Sequence, residues 1–221
     1  MPQTAGNIAA ILLAAGGGVR LGGGKLLLPW RGEPLIARPL RAAAETPGLH
    51  SLTVVLGHNA DAVGEAVAVH ASTLPIPVYC TRNHTWREGL GASLRLGLGH
   101  ALATPGGEDI QAVIVLLGDQ PLVTAHTLCA LVRAHAEALA ANPTLPATVP
   151  VHQGRRGNPV IISRRLFPAL LALRGDTGAR HLLREFDAEI LRVPVDDVGV
   201  LHDVDTPEAY AALSALEGGS P

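Results

Sequence analysis

The apolar residues of the first 142 positions fall into short continuous runs that alternate with segments of helical spacing. Continuous apolar runs of this length are typical of strands buried on both faces of a parallel sheet. The predicted strands are residues 7–14, 51–56, 76–80 and 112–117. The predicted helices are 34–45, which starts at a proline, 59–70, which Asn59 or Asp61 caps, 90–102, and a fourth from a cap at Thr124 to Ala140.

Strands that alternate with helices imply right-handed crossovers. We therefore predict an α/β fold, a Rossmann-like three-layer sandwich whose mostly parallel sheet has helices on both faces. After Asn142 the pattern changes, and a second lobe is predicted from about residue 143 to 221 within a single domain of residues 1–221. Its predicted elements are strands 148–151 and 159–162 around a turn at 153–157, helices 164–172 and 177–186, strands 190–195 and 200–204, and a helix from a Thr206 cap to Leu213.

The composition argues against several classes of protein: disordered, nucleic-acid-binding and membrane-spanning. With 48% hydrophobic and 16% charged residues, the 221-residue chain has enough apolar surface for a core and is not of the disordered class. A net charge of -2 lacks the basic footprint of a nucleic-acid binder. No apolar run reaches the ~18–20 residues of a membrane span, and residues 1–7 do not resemble a signal peptide. A cytoplasmic protein without a nucleic-acid or membrane partner is expected.

A glycine-rich loop follows the first predicted strand. Six glycines lie within residues 16–24, and backbone amides in such a loop can approach an anion closely. Arg20 and Lys25 add positive charge, and Lys25 is the single lysine among seventeen basic residues. The loop matches neither the P-loop pattern nor G-x-G-x-x-G. It predicts a phosphate-binding site at the carboxyl edge of the sheet, where open α/β folds bind ligands.

Carboxylates are predicted at the same edge. Asp119 follows the most apolar strand, where a lone carboxylate suits Mg²⁺ together with phosphate oxygens, although a turn or helix-capping role is the alternative. Asp203 and Asp205 would share one face of an extended segment, and either could join Asp119 at a metal. Asp205 has the further alternative of capping the last helix.

Three more segments have the composition of ligand sites. Residues 86–95 enter a helix through glycines, residues 153–159 form a basic turn, and residues 175–180 open a helix, which is a natural position for an anion. Basic turns that are only solvated are the alternative for the last two. The two cysteines and ten histidines show no metal-binding spacing. Cys80 and Cys129 are predicted to be small buried hydrophobic residues, and the histidines to be mostly surface or half-buried.

Four ordered motifs together resemble the MobA/MocA-like nucleotidyltransferase family, in particular its molybdenum cofactor cytidylyltransferase branch. The family loop L-A-A-G-x-S-x-R-M-G-x-x-K is matched at 13–16, Arg20, Gly22 and Lys25. The remaining motifs are G-D-Q-P at 118–121, W-x-x-G-x-x-x-S-L at 86–94 and D-x-D-T-P-E at 203–208.

The resemblance implies the nucleotide-diphospho-sugar transferase type of fold and transfer of CMP from CTP to molybdenum-molybdopterin. Arg20 and Lys25 would be catalytic, and Asp119 and Asp205 would bind Mg²⁺. A molybdoenzyme or its chaperone is a candidate partner. The implied nucleotide-binding residues are Leu13, Ala14, Ala15, Gly16, Gly17, Lys25, Gly89, Ser93 and Asp119. The basic turn and the helix start supply the implied acceptor-binding residues Arg155, Arg156, Asn158 and Arg180.

The chain departs from the family motifs at several positions. Gly18 replaces the loop serine, Leu21 the methionine, Gly24 a common proline, and Asn158 the histidine of a G-H-P motif. The preference for CTP over GTP rests largely on Ala15. Two alternatives stay open: a guanylyl- or sugar-phosphate nucleotidyltransferase of the same fold, and a non-catalytic carrier of the molybdenum cofactor.

Overall fold

The computed structural model describes residues 7–18, 21–175 and 178–216. The strands are β1 (Ile8–Ala14), β2 (Pro29–Trp30), β3 (Glu33–Pro34), β4 (Leu49–Leu56), β5 (Val78–Arg82), β6 (Ala112–Leu117), β7 (Ala147–His152), β8 (Arg155–Arg156), β9 (Val160–Ser163) and β10 (Leu191–Pro194). The α-helices are α1 (Ala37–Ala44), α2 (Ala60–Ala71), α3 (Leu90–Ala103), α4 (Ala125–Ala141), α5 (Phe167–Leu171), α6 (Ala179–Glu185) and α7 (Pro207–Ala215).

A mixed, mostly parallel sheet forms the centre of the fold, in the order β10-β7-β9-β6-β1-β4-β5, with β8 paired to β7. The central strand β1 pairs in parallel with both β4 and β6, and its Leu12 lies between Val54 and Leu116. Only β8 and β9 run against their neighbours in this sheet. The predicted α/β sandwich is therefore confirmed.

Successive residues of β1 point to opposite faces of the sheet, and because they are apolar, helices cover both faces. Leu12 packs with α1, α2 and α4 on one face. Ile11 packs with α3, α5 and α6 on the other. A smaller cluster joins the β2–β3 hairpin to α7, where the Trp30 indole N–H donates to the Leu213 carbonyl at 3.2 Å.

The reversed direction of β9 determines which loops meet at the ligand-binding edge. Since β9 is antiparallel to both β6 and β7, the strands β6 and β7 run in the same direction. The glycine loop after β1, the segment after β6 and the basic turn after β7 therefore lie at one edge. Predicted ligand segments from both halves of the chain are brought together there.

Several predicted elements differ from the observed ones. Helix α1 begins at Ala37 rather than at Pro34, because Pro34 pairs with Pro29 in the β2–β3 hairpin. The third predicted strand lies two residues later in the chain, at Val78–Arg82. The predicted helix 164–172 is a 3₁₀ turn followed by α5, and the predicted helix start at residue 177 lies outside the described residues.

The strand predicted at 200–204 is wrong. The segment forms a 3₁₀ helix, Val198–Leu201, and then an irregular stretch. Thr206, rather than Asp205, caps α7, since its side chain accepts from the Ala209 N–H. Thr124 caps α4 as predicted, by accepting from the Thr127 N–H. The prediction that both cysteines are buried is wrong, since Cys80 is exposed and Cys129 half-buried. In the described ranges no helix is long and apolar enough to cross a membrane.

Two glycines of α3 provide a test of the packing between this helix and the sheet. A Cβ at Gly97 would lie 2.7 Å from Ile11 Cγ2 and 2.8 Å from Val55 Cγ2, whereas at Gly99 it would meet nothing within 4 Å. We expect Gly97→Ala to lower the free energy of unfolding by about 1–3 kcal/mol through overpacking. Gly99→Ala should raise it by up to about 1 kcal/mol through helix propensity. Urea unfolding measures both, and equal effects would contradict this packing.

His135 makes stability depend on pH. Its ring is fully buried, its Nδ1 lies 2.8 Å from the Thr148 hydroxyl, and burial lowers its pKa from 6.5 to about 4. Between those values the unfolded chain binds a proton that the folded chain does not, so stability falls as pH falls. This group should remove about 3 kcal/mol between pH 6.5 and 4. Unfolding free energies of wild type and His135→Gln across this range should diverge by that amount, and parallel curves would refute the assignment.

Candidate active site

The glycine loop folds back on itself to position Lys25. Gly18 has a φ of +53° and Gly23 a φ of +85°, and the Leu21 and Gly23 N–H groups both donate to the Gly18 carbonyl. A Cβ on Gly18 would lie 3.0 Å from Lys25 Cγ, so the loop packs directly on the lysine side chain. The family serine at this position would therefore be strained here. Arg20 lies outside the described residues.

Lys25 is the electrostatic centre of the site. The residue is 8% exposed, and its ammonium donates to the carboxylates of Asp119 and Asp205. Burial alone would lower the pKa of Lys25, but the charges and hydrogen bonds of the two aspartates outweigh it and hold that pKa above its usual value. The lysine is therefore a fixed cation at the carboxyl edge of β6.

Asp205 reaches Lys25 because its segment is hydrogen-bonded to the loop that carries Asp119. The Val204 N–H donates to the Asp119 carbonyl at 2.9 Å. Asp203 lies beside Asp205 and lines a neighbouring pocket, and burial together with a hydrogen bond to Asp205 raises its pKa. Of the two predicted second carboxylates, Asp205 is the one bonded to Lys25.

A first pocket of about 540 Å³ lies between the glycine loop and the start of α3. Trp86, Arg87 and Leu90 complete its wall. All of the predicted nucleotide-binding residues line it: Leu13, Ala14, Ala15, Gly16, Gly17, Lys25, Gly89, Ser93 and Asp119. Their role in binding stays a prediction, but the chain brings them to one cavity.

The wall opposite the loop is supported by residues that the sequence reasoning did not assign to the site. Asn83 donates to the Ser93 hydroxyl at 2.9 Å, and Ser93 is buried, so this hydroxyl is held in place from behind. His58 meets Trp86 edge-on, with 5.3 Å between the ring centres. The Asn59 side chain, predicted only as a helix cap, instead donates to the Gly23 carbonyl at 2.7 Å. His58 and Asn59 come just after β4, and Asn83 comes directly after β5, so a position at a strand end was the available signal.

A second pocket of about 550 Å³ adjoins the first, with which it shares Leu13, Leu90 and Leu117. Its floor is largely apolar. The predicted acceptor-binding residues Arg155, Arg156, Asn158 and Arg180 all line it. Arg184, which the sequence reasoning missed, also lines it, and its spacing of four from Arg180 on one helix was the signal.

The arginines of the second pocket are not all neutralised by the protein. Arg156 forms an ion pair with Asp187. Within the described part of the chain, Arg155, Arg180 and Arg184 have no carboxylate partner. Cations that the fold leaves uncompensated beside an apolar floor fit a ligand that is partly apolar and negatively charged.

The carboxylates suit a hard divalent cation. Asp119 Oδ1 is buried and has no hydrogen-bond partner in the described structure, so one oxygen is available as a ligand. Asp205 supplies a second carboxylate. No group of three or more acidic, histidine or cysteine ligands occurs among the described residues. Two carboxylates, one with an unused oxygen, suit a hard divalent cation that completes its shell with water and phosphate oxygens.

Lys25→Met tests how strongly the ammonium holds the site together. Its loss leaves two carboxylates close together without a cation, and we expect the free energy of unfolding to fall by about 3 kcal/mol. The control is Arg133→Met, which removes an exposed pair with Glu137 and should change stability by less than about 0.5 kcal/mol. Denaturant unfolding distinguishes the two variants. Equally small effects would show that the contacts of Lys25 with Asp119 and Asp205 do not stabilise the fold.

Comparison with known proteins finds a matching family model and relatives that align along most of the chain. A family model described as the MobA-like NTP transferase domain matches residues 10–190. The chain is 34% identical to nicotine blue oxidoreductase of Paenarthrobacter nicotinovorans, over 93% of this chain and 96% of that protein. It is 31% identical to purine catabolism protein PucB of Bacillus subtilis, over 90% of this chain and 92% of that protein.

Solved structures show the same architecture. Rv0371c from Mycobacterium tuberculosis H37Rv superposes with a TM-score of 0.75 at 29% identity, covering 95% of this chain and 98% of that chain. A manganese complex of Rv0371c superposes with a TM-score of 0.71 at 27% identity, with the same coverage of both chains. The family model matches most of the chain, the relatives align along nearly their full length, and the fold is shared. The chain therefore belongs to the MobA-like NTP transferase family.

Proposed function

We propose that the protein is a Mg²⁺-dependent nucleotidyltransferase that transfers CMP from CTP to molybdenum-molybdopterin and releases pyrophosphate. The observation that carries this proposal is the pair of adjoining pockets. One contains a glycine loop, the Lys25 ammonium and the Asp119 carboxylate. The other contains, over an apolar floor, three arginines for which the described residues supply no carboxylate partner: Arg155, Arg180 and Arg184. A group transfer between two anionic substrates needs two such pockets side by side.

On the nucleotide side, the backbone of residues 15–18 would surround the triphosphate, and Lys25 would neutralise part of its charge. Arg20 would add a second cation. Gly89 and Ser93 would seat the base beneath Trp86, and Asn83 orients the Ser93 hydroxyl for that contact. The preference for CTP over GTP rests on Ala15, which lines this pocket.

Asp119 and Asp205 would hold Mg²⁺, which when bound shields the phosphate charges from one another. Lys25 is bonded to both carboxylates before substrate enters. A phosphate oxygen that enters this cluster offers the ammonium a new partner and frees the carboxylates. The side chain therefore does not need to leave its buried position in order to contact the nucleotide.

The chemistry itself is an in-line displacement. A phosphate oxygen of the acceptor forms a bond to the α-phosphorus of CTP, and the bond from that phosphorus to the bridging oxygen of the β-phosphate breaks. Pyrophosphate leaves with the electron pair. No protein nucleophile is required, so the contribution of the chain is positioning and charge neutralisation.

On the acceptor side, Arg155, Arg156, Asn158 and Arg180 would contact the anionic groups of the acceptor, with Arg184 added from α6. The apolar floor, which includes Leu94 and Val149, gives the flat pterin ring a surface to lie on. Asn158 offers an amide where the family motif has a histidine. A carrier that only holds the cofactor would need no cluster of lysine and carboxylates in the neighbouring pocket.

Calorimetry with CTP and GTP, with and without Mg²⁺, tests the nucleotide half of the proposal. We expect Mg²⁺-dependent CTP binding that falls about 100-fold in Asp119→Ala, since a metal ligand matters at least as much as the groups that support it. The matched control is Asp109→Ala, an exposed aspartate just before the other end of β6, which should bind like wild type.

Pyrophosphate release in the presence of molybdenum-molybdopterin then tests the transfer. Release with GTP in place of CTP would reassign the base, and release only with a sugar phosphate would reassign the acceptor. Binding of the pterin without pyrophosphate release would favour the carrier. Binding of neither nucleotide would contradict the proposal and leave a sugar-phosphate nucleotidyltransferase that uses another base, or the carrier.

A further inference from the structure

The segment 197–204 lines the second pocket through Val200, Leu201 and Asp203 and is hydrogen-bonded to the Asp119 loop of the first pocket, although it belongs to no strand of the sheet. The Asn158 N–H donates to the Val200 carbonyl at 2.9 Å, which joins the segment to the basic turn. Four residues later, the Val204 N–H donates to the Asp119 carbonyl, which joins it to the carboxylate loop. Asp203 and Asp205 flank Val204, so the position of both carboxylates depends on how the segment is held.

One side chain, Asp197, anchors the beginning of this segment. Its Oδ2 accepts from the Thr127 hydroxyl at 2.5 Å, from the Thr124 hydroxyl at 3.1 Å and from the Thr124 N–H at 3.3 Å. Its Oδ1 accepts from the Gly199 N–H at 2.8 Å, which starts the 3₁₀ turn. Both oxygens are used, one on the first turn of α4 and one on the segment itself.

The support at α4 is also the support of Asp119. That helix follows β6 directly through the loop 118–124, so its first turn and Asp119 belong to one short connection. Gly199 packs on this connection so closely that a Cβ there would lie 2.5 Å from the Leu122 carbonyl carbon. The N-terminal end of a helix also favours a carboxylate electrostatically.

We propose that Asp197 is a positioning residue, which fixes the segment 197–204 to the Asp119 loop so that Asp205 meets Lys25 and Asp203 faces the arginine-lined pocket. Asp119 and Asp205, which come from distant parts of the sequence, then share one support. The consequence for nucleotide binding rests on the proposed function, whereas the anchoring of the segment does not.

The test compares Asp197→Ala with Asp197→Asn and with Asn142→Ala. Asn142 lies at the other end of α4, outside both pockets, where its Oδ1 accepts from the Thr144 N–H and hydroxyl. Asn142→Ala removes these side-chain hydrogen bonds at the end of the same helix and leaves the segment 197–204 unchanged. Asp197→Asn keeps one oxygen acceptor and should lose less than Asp197→Ala.

Two readouts separate anchoring from binding: amide hydrogen exchange at Val204, and titration of Mn²⁺ with and without CTP followed by electron paramagnetic resonance. In Asp197→Ala we expect exchange at Val204 to accelerate about tenfold and the affinity for Mn²⁺ with CTP to fall about tenfold, since hydrogen bonds to a carboxylate are lost. In Asn142→Ala both should stay within about twofold of wild type.

Unchanged exchange at Val204 in Asp197→Ala would overturn the proposal, as would equal acceleration in Asn142→Ala, which would indicate general loosening. Faster exchange with unaltered binding of Mn²⁺ and CTP would also overturn it, because the segment would then move without consequence for the site. If wild type binds neither Mn²⁺ nor CTP, the proposed function fails, and the exchange rate at Val204 alone still decides whether Asp197 anchors the segment.

Discussion

A single buried ammonium, that of Lys25, holds the site together. It is bonded to Asp119 and Asp205, so three segments that are far apart in sequence converge on one atom. A buried lysine without partners would be costly, and two carboxylates this close would repel each other without a cation between them. Each charge therefore requires the other two. The glycine loop, the connection after β6 and the segment before α7 cannot be displaced independently.

The direction of β9 is the second constraint. A purely parallel sheet would also have collected loops at its carboxyl edge, but the two reversals at β9 let the short hairpin-like connection 153–159 reach the same edge. The basic turn then faces the arginines of α6 across an apolar floor. Both pockets are built on strand ends that the core holds rigidly, which gives the ligands a defined separation.

Much of this arrangement was predictable from sequence, since it depends on local patterns. The apolar runs of β1 and β6 and the caps Thr124 and Thr206 were identified because burial and capping act over a few residues. The run V-L-H-D-V at 200–204 was wrongly predicted as a strand, because alternation alone does not reveal that Asp197 would cap a 3₁₀ turn. Pro34 was likewise placed in a helix, although its pairing with Pro29 forms a hairpin.

The supporting residues were harder to find, because they act through tertiary contacts rather than through local patterns. Asn83, His58 and Asp197 act on partners that are distant in sequence or belong to another element, and their residue types are ordinary in loops. The motifs identified residues that line the two pockets, since those have a characteristic order along the chain. They did not identify the residues behind them, which depend on tertiary packing.

The partition between the two pockets is thin, since Leu13, Leu90 and Leu117 face both. A reaction that joins the occupants of the two pockets makes a bivalent ligand, each half of which is held by the contacts that bound a separate substrate. When one half dissociates, the other keeps it at high effective concentration near its pocket, so rebinding competes with escape. Pyrophosphate has no such second attachment. For an enzyme built this way, departure of the joined product, rather than bond formation, becomes the slow event, and a downstream acceptor that takes up one half directly would accelerate turnover.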